Sequence, residues 1–183
     1  MSTDVVGRAG PVESLEPSGL GRVLLAVVRI TVGLLWINNV GWKVPPRFGA
    51  GTNPPQGLFE WVQKPLHYPV FAPYSWLVEH LVLPAFPLFA WGVFVVEACL
   101  GAFLLVGLAT RFWAVVGLAQ TVVITLSVLN TPGEWYWAYF LMFAAHLALL
   151  ATAAGRAYGV DGVLRPVWRR RGGLVGRALL KAS

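Results

Sequence analysis

Four long apolar runs constrain the fold of this chain more than any other feature of its sequence. Each approaches the roughly 20 residues that an α-helix needs to cross a hydrocarbon core of about 30 Å. The chain is 57% hydrophobic and 12% charged, which is more apolar than a soluble domain. The sequence therefore predicts an all-α membrane protein, a bundle of four transmembrane helices at about residues 20–41, 85–108, 112–130 and 135–154.

The connections between these predicted helices differ greatly in length. Thr110 and Arg111 form a tight turn between the second and third helices, and Pro132 and Gly133 break the chain between the third and fourth. By contrast, residues 42–84 form a long loop that holds most of the prolines and many aromatic residues. So many aromatic side chains argue against disorder. We expect short helices near 58–64 and 74–83, folded as a cap on one membrane face.

The distribution of basic residues predicts the orientation in the membrane. Arginines flank the start of the first helix, Arg111 lies in the second turn, and a basic segment follows the fourth helix. All three groups fall on one side of a four-span topology, so the positive-inside rule predicts cytoplasmic termini and an external loop 42–84 in the plasma (cell inner) membrane. Residues 1–19 are then a flexible cytoplasmic tail, 20–165 the membrane domain and 166–183 a basic cytoplasmic tail. We expect these basic residues to contact the lipid bilayer and not a nucleic acid.

Each predicted helix carries a polar residue at membrane depth: Arg29, Glu97, Gln120 and His146. At about 1.5 Å per residue, all four lie about 12–16 Å from the cytoplasmic end, in nearly one layer. Ionisable groups at this depth are costly, and they indicate a functional site by default. The simplest pairing joins Arg29 to Glu97, with Gln120 and His146 completing the network. The alternative interpretation is structural, with polar groups that fix helix register; the two are compatible.

Helical spacing places further side chains beside this layer. Trp36 and Lys43 share the Arg29 stripe of the first helix, with Asn39 at its border, and Tyr139 shares the face of His146. Aromatic residues at this spacing are more often packing than a ligand site. Here they could also form the wall of a pocket for a flat apolar ring.

Several cofactor classes are excluded by counts of their ligands. Cys99 is the only cysteine and His146 the only intramembrane histidine, so one chain cannot build an iron–sulfur cluster or a bis-histidine haem site. His67 and His80 in the loop are too few for a zinc site. We therefore expect no metal and no covalently bound cofactor. Any redox chemistry would use a membrane quinone or a partner redox subunit.

Three segments resemble the signatures of the DoxX/DoxD family. Residues 29–36 with 41–43 are similar to its first-helix signature, and residues 97–101 with 107–111 (GLATR) are similar to its second-helix signature. Residues 154–161 (AGRAYGVD) are similar to the segment that follows the fourth helix in members of the family. The resemblance covers about residues 20–165, and the long loop before the second helix makes the chain look closer to the DoxD branch than to the shorter members of the family. It implies a four-helix bundle.

The DoxD branch is named for the small membrane subunit of thiosulfate:quinone oxidoreductase, which passes electrons from a sulfur compound to a quinone. The resemblance therefore implies a membrane subunit of a quinone-linked redox complex. In this hypothesis Glu97 and His146 are catalytic and transfer protons. The residues expected to bind the quinone are Arg29, Trp36, Asn39, Lys43, Gln120 and Tyr139.

Two other functions remain open at this point. The chain could be a non-catalytic anchor or assembly subunit that docks partners through the external loop and the basic C-terminal segment. It could also be a small transporter, although it shows no inverted repeat or broken-helix pair. Assembly into a homo-oligomer is open as well.

Overall fold

A computed structural model describes residues 18–183, so most of the predicted tail at 1–19 lies outside the described residues. The described part is helical and contains no strand. The first helix, α1 (Gly19–Gly41), begins at Ser18, whose hydroxyl oxygen accepts a hydrogen bond from the main-chain N–H of Gly21 at 3.2 Å. This is the usual N-cap, which satisfies one of the free amides at a helix start.

Within residues 18–183, three helices are long and apolar enough to cross a membrane: α1, α4 (Phe86–Val106) and α5 (Thr110–Val128). A further apolar helix, α6 (Tyr136–Thr152), has 17 residues and is shorter than these three. Large apolar side chains remain exposed along these helices, among them Leu34, Leu88 and Phe140. Exposed apolar surface of this extent is expected where a helix faces lipid. The chain is thus an all-α membrane protein.

The closest packing in the bundle joins α1 to α4, which run antiparallel. A Cβ atom on Gly33 would lie 2.9 Å from the main-chain nitrogen of Leu105, and one on Gly101 would lie 3.0 Å from that of Ile37. The two glycines therefore let the backbones approach closely, as small residues do between membrane helices. Around this contact Trp36, Leu100 and Leu104 form part of the main apolar core.

The segment between α1 and α4 is a packed cap. It contains α2 (Gly57–His67), α3 (Ala72–Leu77) and a π-helical turn (Val78–Val82), where the sequence predicted short helices near 58–64 and 74–83. Phe48 is fully buried and packs with Leu58 against the start of α4. At the other side, the hydroxyl of Tyr74 lies 2.7 Å from that of Ser127. The cap is therefore fixed to both α4 and α5.

The C-terminal segment is helical, where the sequence predicted a basic tail at 166–183. A 3₁₀ turn (Ala154–Arg156) leads into α7 (Val160–Arg171), and α8 (Gly173–Ala182) folds back along the bundle to contact α5. The reversal occurs at Gly172, whose φ of 59° is readily adopted by glycine. Arg165, in α7, stabilises this fold-back by donating a hydrogen bond to the main-chain oxygen of Leu180, in α8, at 2.9 Å. The sequence predicted no helices in this basic segment, whereas the structure has two.

Candidate functional site

The partner of Glu97 is Lys43, and the predicted pairing of Glu97 with Arg29 is wrong. Lys43 Nζ lies 2.5 Å from Glu97 Oε2, and the two side chains are 2% and 1% exposed. Lys43 stands just beyond the end of α1, and its long side chain reaches the face of α4 that carries Glu97. Two opposite charges at contact distance offset much of the cost of burying each one.

Two amide side chains complete the hydrogen bonds of this carboxylate. Asn39 donates to Oε2 at 3.2 Å, and Gln120, from α5, donates to Oε1 at 3.0 Å. Lys43 also donates to the main-chain oxygen of Asn39 at 2.9 Å and lies 4.3 Å from the ring centroid of Trp42. We call Asn39, Lys43, Glu97 and Gln120 the Lys43–Glu97 cluster. Both of its charges have full sets of partners, as buried ions require.

Arg29 binds main-chain carbonyls at the far end of α4. Its Nη1 donates to the oxygens of Leu104 and Leu105 at 2.6 and 2.7 Å, and its Nη2 donates to that of Tyr158 at 3.3 Å. The last carbonyls of a helix have no partner within the helix and carry partial negative charge, so a cation there satisfies them. Arg29 is therefore a structural clamp. It lies ten residues from Asn39 along α1, or about 15 Å away.

The clamp adjoins a second buried structural group, Asp161. Its carboxylate accepts from the main-chain N–H groups of Ala109 and Thr110 at 2.7 and 2.9 Å, and so caps the start of α5. Between Arg29 and Asp161 lies Gly107, with a φ of 70°. A Cβ there would lie 2.7 Å from Arg29 Nη1, and the Gly107 oxygen accepts from the Asp161 N–H at 2.8 Å. Asp161 was in the 154–161 motif, but sequence reasoning assigned it no role.

His146 pairs with Trp36 away from the Lys43–Glu97 cluster. The indole N–H of Trp36 donates to Nε2 at 2.9 Å, and Nδ1 lies 2.7 Å from the main-chain oxygen of Met142. Because the indole is a donor only, Nε2 must accept and Nδ1 must carry the proton, so the ring is the neutral tautomer. Gly117 makes room for it, since a Cβ there would lie 2.1 Å from His146 Cδ2.

Tyr139 is buried but belongs to another part of the bundle. Its hydroxyl donates to the carboxylate of Glu134, in the turn before α6. Tyr139 therefore makes its hydrogen bond outside the Lys43–Glu97 cluster.

The predicted single layer is thus a series of levels along α1. Arg29 lies at one end, the Trp36–His146 pair in the middle and the Lys43–Glu97 cluster near the other end. The layer prediction assumed that each helix begins at the same depth. Lys43 was among the predicted binding residues, but its pairing with Glu97 was not predicted.

The Lys43–Glu97 cluster has the chemistry of a proton-handling site. Glu97 is a titratable carboxyl at membrane depth, and Lys43 is a titratable ammonium in contact with it. Asn39 and Gln120 are only half-buried, so the amide side of the cluster reaches the bundle surface. A ligand that approaches between the helices would meet amide groups first and the charged pair behind them.

Comparison with protein families gives one match. Residues 64–172 match the family model described as TQO small subunit DoxD, which is more than half of the chain. The matched region contains Glu97, Gln120, His146 and Asp161, but not α1 with its Arg29, Trp36, Asn39 and Lys43. Neither the curated proteins nor the solved structures give a match.

Proposed function

The chain belongs to the DoxD family, and on this premise we propose that it is the small membrane subunit of a quinone-linked oxidoreductase that uses a sulfur compound as electron donor. The observation that carries the proposal is the Lys43–Glu97 cluster, a titratable pair 1–2% exposed among apolar helices. Ionisable groups held at such depth commonly mark substrate pathways or proton relays.

The donor set of the cluster suits the carbonyl oxygens of a quinone. Among residues 18–183, Gln120 donates one side-chain hydrogen bond, to Glu97. Its amide carries a second N–H and an oxygen. Asn39 is half-buried like Gln120 and lies beside Trp42, whose indole N–H donates to it at 3.1 Å. Amide donors beside an exposed aromatic ring can orient a flat carbonyl compound at the lipid-facing surface.

The charged pair would then supply protons. Reduction of a quinone to a quinol takes up electrons and protons together. The electrons would come from a partner redox subunit that oxidises a sulfur compound such as thiosulfate. Glu97 is the first proton carrier in this proposal, because it already contacts Lys43 and Gln120. His146 would follow only if its bond with Trp36 opens, since Nε2 is the ring nitrogen that can take up a proton and it already accepts from the indole N–H.

The topology proposal has four spans, with α6 as the fourth crossing and both termini in the cytoplasm of a plasma membrane. The charge distribution favours it, because Arg111 and the basic residues of α7 and α8 lie at one end of the bundle. A reporter that is active only in the cytoplasm, fused after Ser183, should be active. A cysteine introduced at the exposed Trp76 should react with an impermeant thiol reagent from outside.

Replacement of Glu97 with Gln tests the proton role. The variant keeps the shape of the side chain but removes the proton-carrying carboxylate. In membranes that contain the assembled complex, reduction of a short-chain quinone by thiosulfate should fall at least about tenfold. The matched control is Glu60→Gln, because Glu60 pairs with Lys64 at 2.9 Å with side chains 43% and 23% exposed. Unchanged turnover in Glu97→Gln would rule out Glu97 as a proton carrier.

A second candidate function is a non-catalytic anchor or assembly subunit. The observation that favours it is that the charges of the Lys43–Glu97 cluster are satisfied within the protein and nearly inaccessible. In this case Glu97→Gln would reduce the amount of complex, whereas turnover per assembled complex would stay constant. Quantifying both in the same membranes separates the two functions.

A further inference from the structure

An open groove lies between α5, α6 and α8, at the end of the bundle opposite the Lys43–Glu97 cluster. Its volume is about 550 Å³. Phe112, Val115 and Leu150 form its apolar part, and Arg111 and Lys181 provide two cations. Phe112 and Val115 are each 51% exposed, so apolar surface continues from the groove along α5. The groove therefore combines positive charge at one end with a lipid-facing apolar wall.

Among residues 18–183, neither Arg111 nor Lys181 forms a salt bridge. Arg111 Nε is buried and has no hydrogen-bond partner among the described residues. Burial lowers the pKa of Arg165, the like charges of Arg156, Arg169 and Arg111 lower it further, and the carboxylate of Asp161 raises it. The acid described at this end is Asp161, and both of its oxygens already accept from main-chain N–H groups. A bound anion in the groove would pair with Arg111 and Lys181, the two cations that line it.

We propose that this groove is a binding site for an anionic phospholipid, with the phosphate on Arg111 and Lys181 and an acyl chain along Phe112, Val115 and Leu150. Basic pockets beside membrane helices commonly bind anionic head groups on the side to which basic residues are attracted. The fold-back of α8 creates the site, because Lys181 and Ala178 complete it from that helix. The site is independent of the proposed redox function.

Native mass spectrometry of the full-length chain in detergent micelles tests the proposal. The probes are dioleoyl phosphatidylglycerol and dioleoyl phosphatidylcholine, which share acyl chains and differ in head-group charge. We expect phosphatidylglycerol to bind at least about tenfold more tightly. The double variant Arg111→Gln/Lys181→Gln should weaken phosphatidylglycerol binding by about twenty-fivefold, at about fivefold for each charge near the surface.

The matched control is Arg170→Gln/Arg171→Gln, which removes the same charge from exposed positions of α7 outside the groove. It should change the affinity by less than about threefold. Ala178→Trp fills the groove from the exposed face of α8 without changing charge, and it should also abolish tight binding. Equal binding of the two lipids, equal losses in the two double variants, or full binding to Ala178→Trp would each overturn the proposal.

Discussion

Replacement of Gly117 with Ala should destabilise the bundle by displacing His146. A Cβ at position 117 would lie 2.1 Å from Cδ2 and 2.2 Å from Nε2 of the His146 ring, distances that no real contact tolerates. The ring cannot shift freely, because it is held at 2.9 Å by Trp36 and at 2.7 Å by Met142. The clash must therefore be relieved either by moving α5 or by breaking both hydrogen bonds.

The magnitude follows from these contacts. Two broken hydrogen bonds cost about 1 kcal/mol each, and the buried indole N–H left without a partner adds about 1–3 kcal/mol. The higher helix propensity of Ala returns about 1 kcal/mol. The net loss is then about 2–4 kcal/mol, which corresponds to a melting temperature about 4–16 °C lower for a chain of this size.

Thermal unfolding of the detergent-purified protein, followed by fluorescence, measures this difference. The matched control is Gly92→Ala in α4, because a Cβ at Gly92 would meet no atom within 4 Å. The control should melt at or above the wild-type temperature. The loss on replacing His146 with Ala should be smaller in the Gly117→Ala background than in the wild type, since the same contacts are then already lost. A Gly117→Ala protein that melts at the same temperature as the Gly92→Ala control would contradict the predicted clash with His146.

The charge pairing itself can be tested by double-mutant cycles on the free energy of unfolding. The Lys43–Glu97 cycle should give a coupling energy of at least about 2 kcal/mol. The Arg29–Glu97 cycle should give less than about 0.5 kcal/mol, because the effects of mutations more than about 10 Å apart are additive. Equal coupling energies would contradict the pairing of Lys43 with Glu97. Asp161→Ala should cost about 2–4 kcal/mol in thermal unfolding, because two main-chain N–H groups lose a charged acceptor; a loss below about 1 kcal/mol would contradict its capping role. Burial raises the pKa of Tyr74 above its ordinary value of 10.0. The stability that the neutral Tyr74 hydroxyl contributes is therefore present below about pH 10 and is lost as the pH rises through the raised pKa of the folded protein. The stability gap between wild type and Tyr74→Phe should therefore shrink above about pH 10 in pH-dependent unfolding, and a gap that widens would be inconsistent with this burial.

The positions of the long helices could be predicted from sequence because membrane helices need long apolar runs. The predicted 85–108 and 112–130 correspond to Phe86–Val106 and Thr110–Val128 in the structure. The end of α4 is set by Gly107, the first residue of the GLATR segment, whose positive φ closes the helix. The polar residues at membrane depth could also be identified from sequence, because polar side chains are rare within apolar runs.

The pairing of those residues could not be predicted, because it depends on how far α1 slides along α4. That offset is fixed by the contacts of Gly33 with Leu105 and of Gly101 with Ile37, which no property of a single helix reveals. This offset places Arg29 beside the free carbonyls at the end of α4. It also places Lys43 beside Glu97, with which it forms a salt bridge. Likewise, α8 is short, and its fold-back depends on a surface that only the assembled bundle provides.

The central claim is that the Lys43–Glu97 cluster transfers protons and does not serve only to hold helices together. The double variant Lys43→Gln/Glu97→Gln tests it most directly. Removal of one charge leaves the other buried and unpaired, at a cost of about 3–5 kcal/mol, whereas removal of both leaves neutral amides that can bond to each other. Quinone reduction per assembled complex is the decisive measurement. The double variant should assemble better than Glu97→Gln but remain at least about tenfold below wild type in turnover. Assembly and turnover that recover together would contradict it.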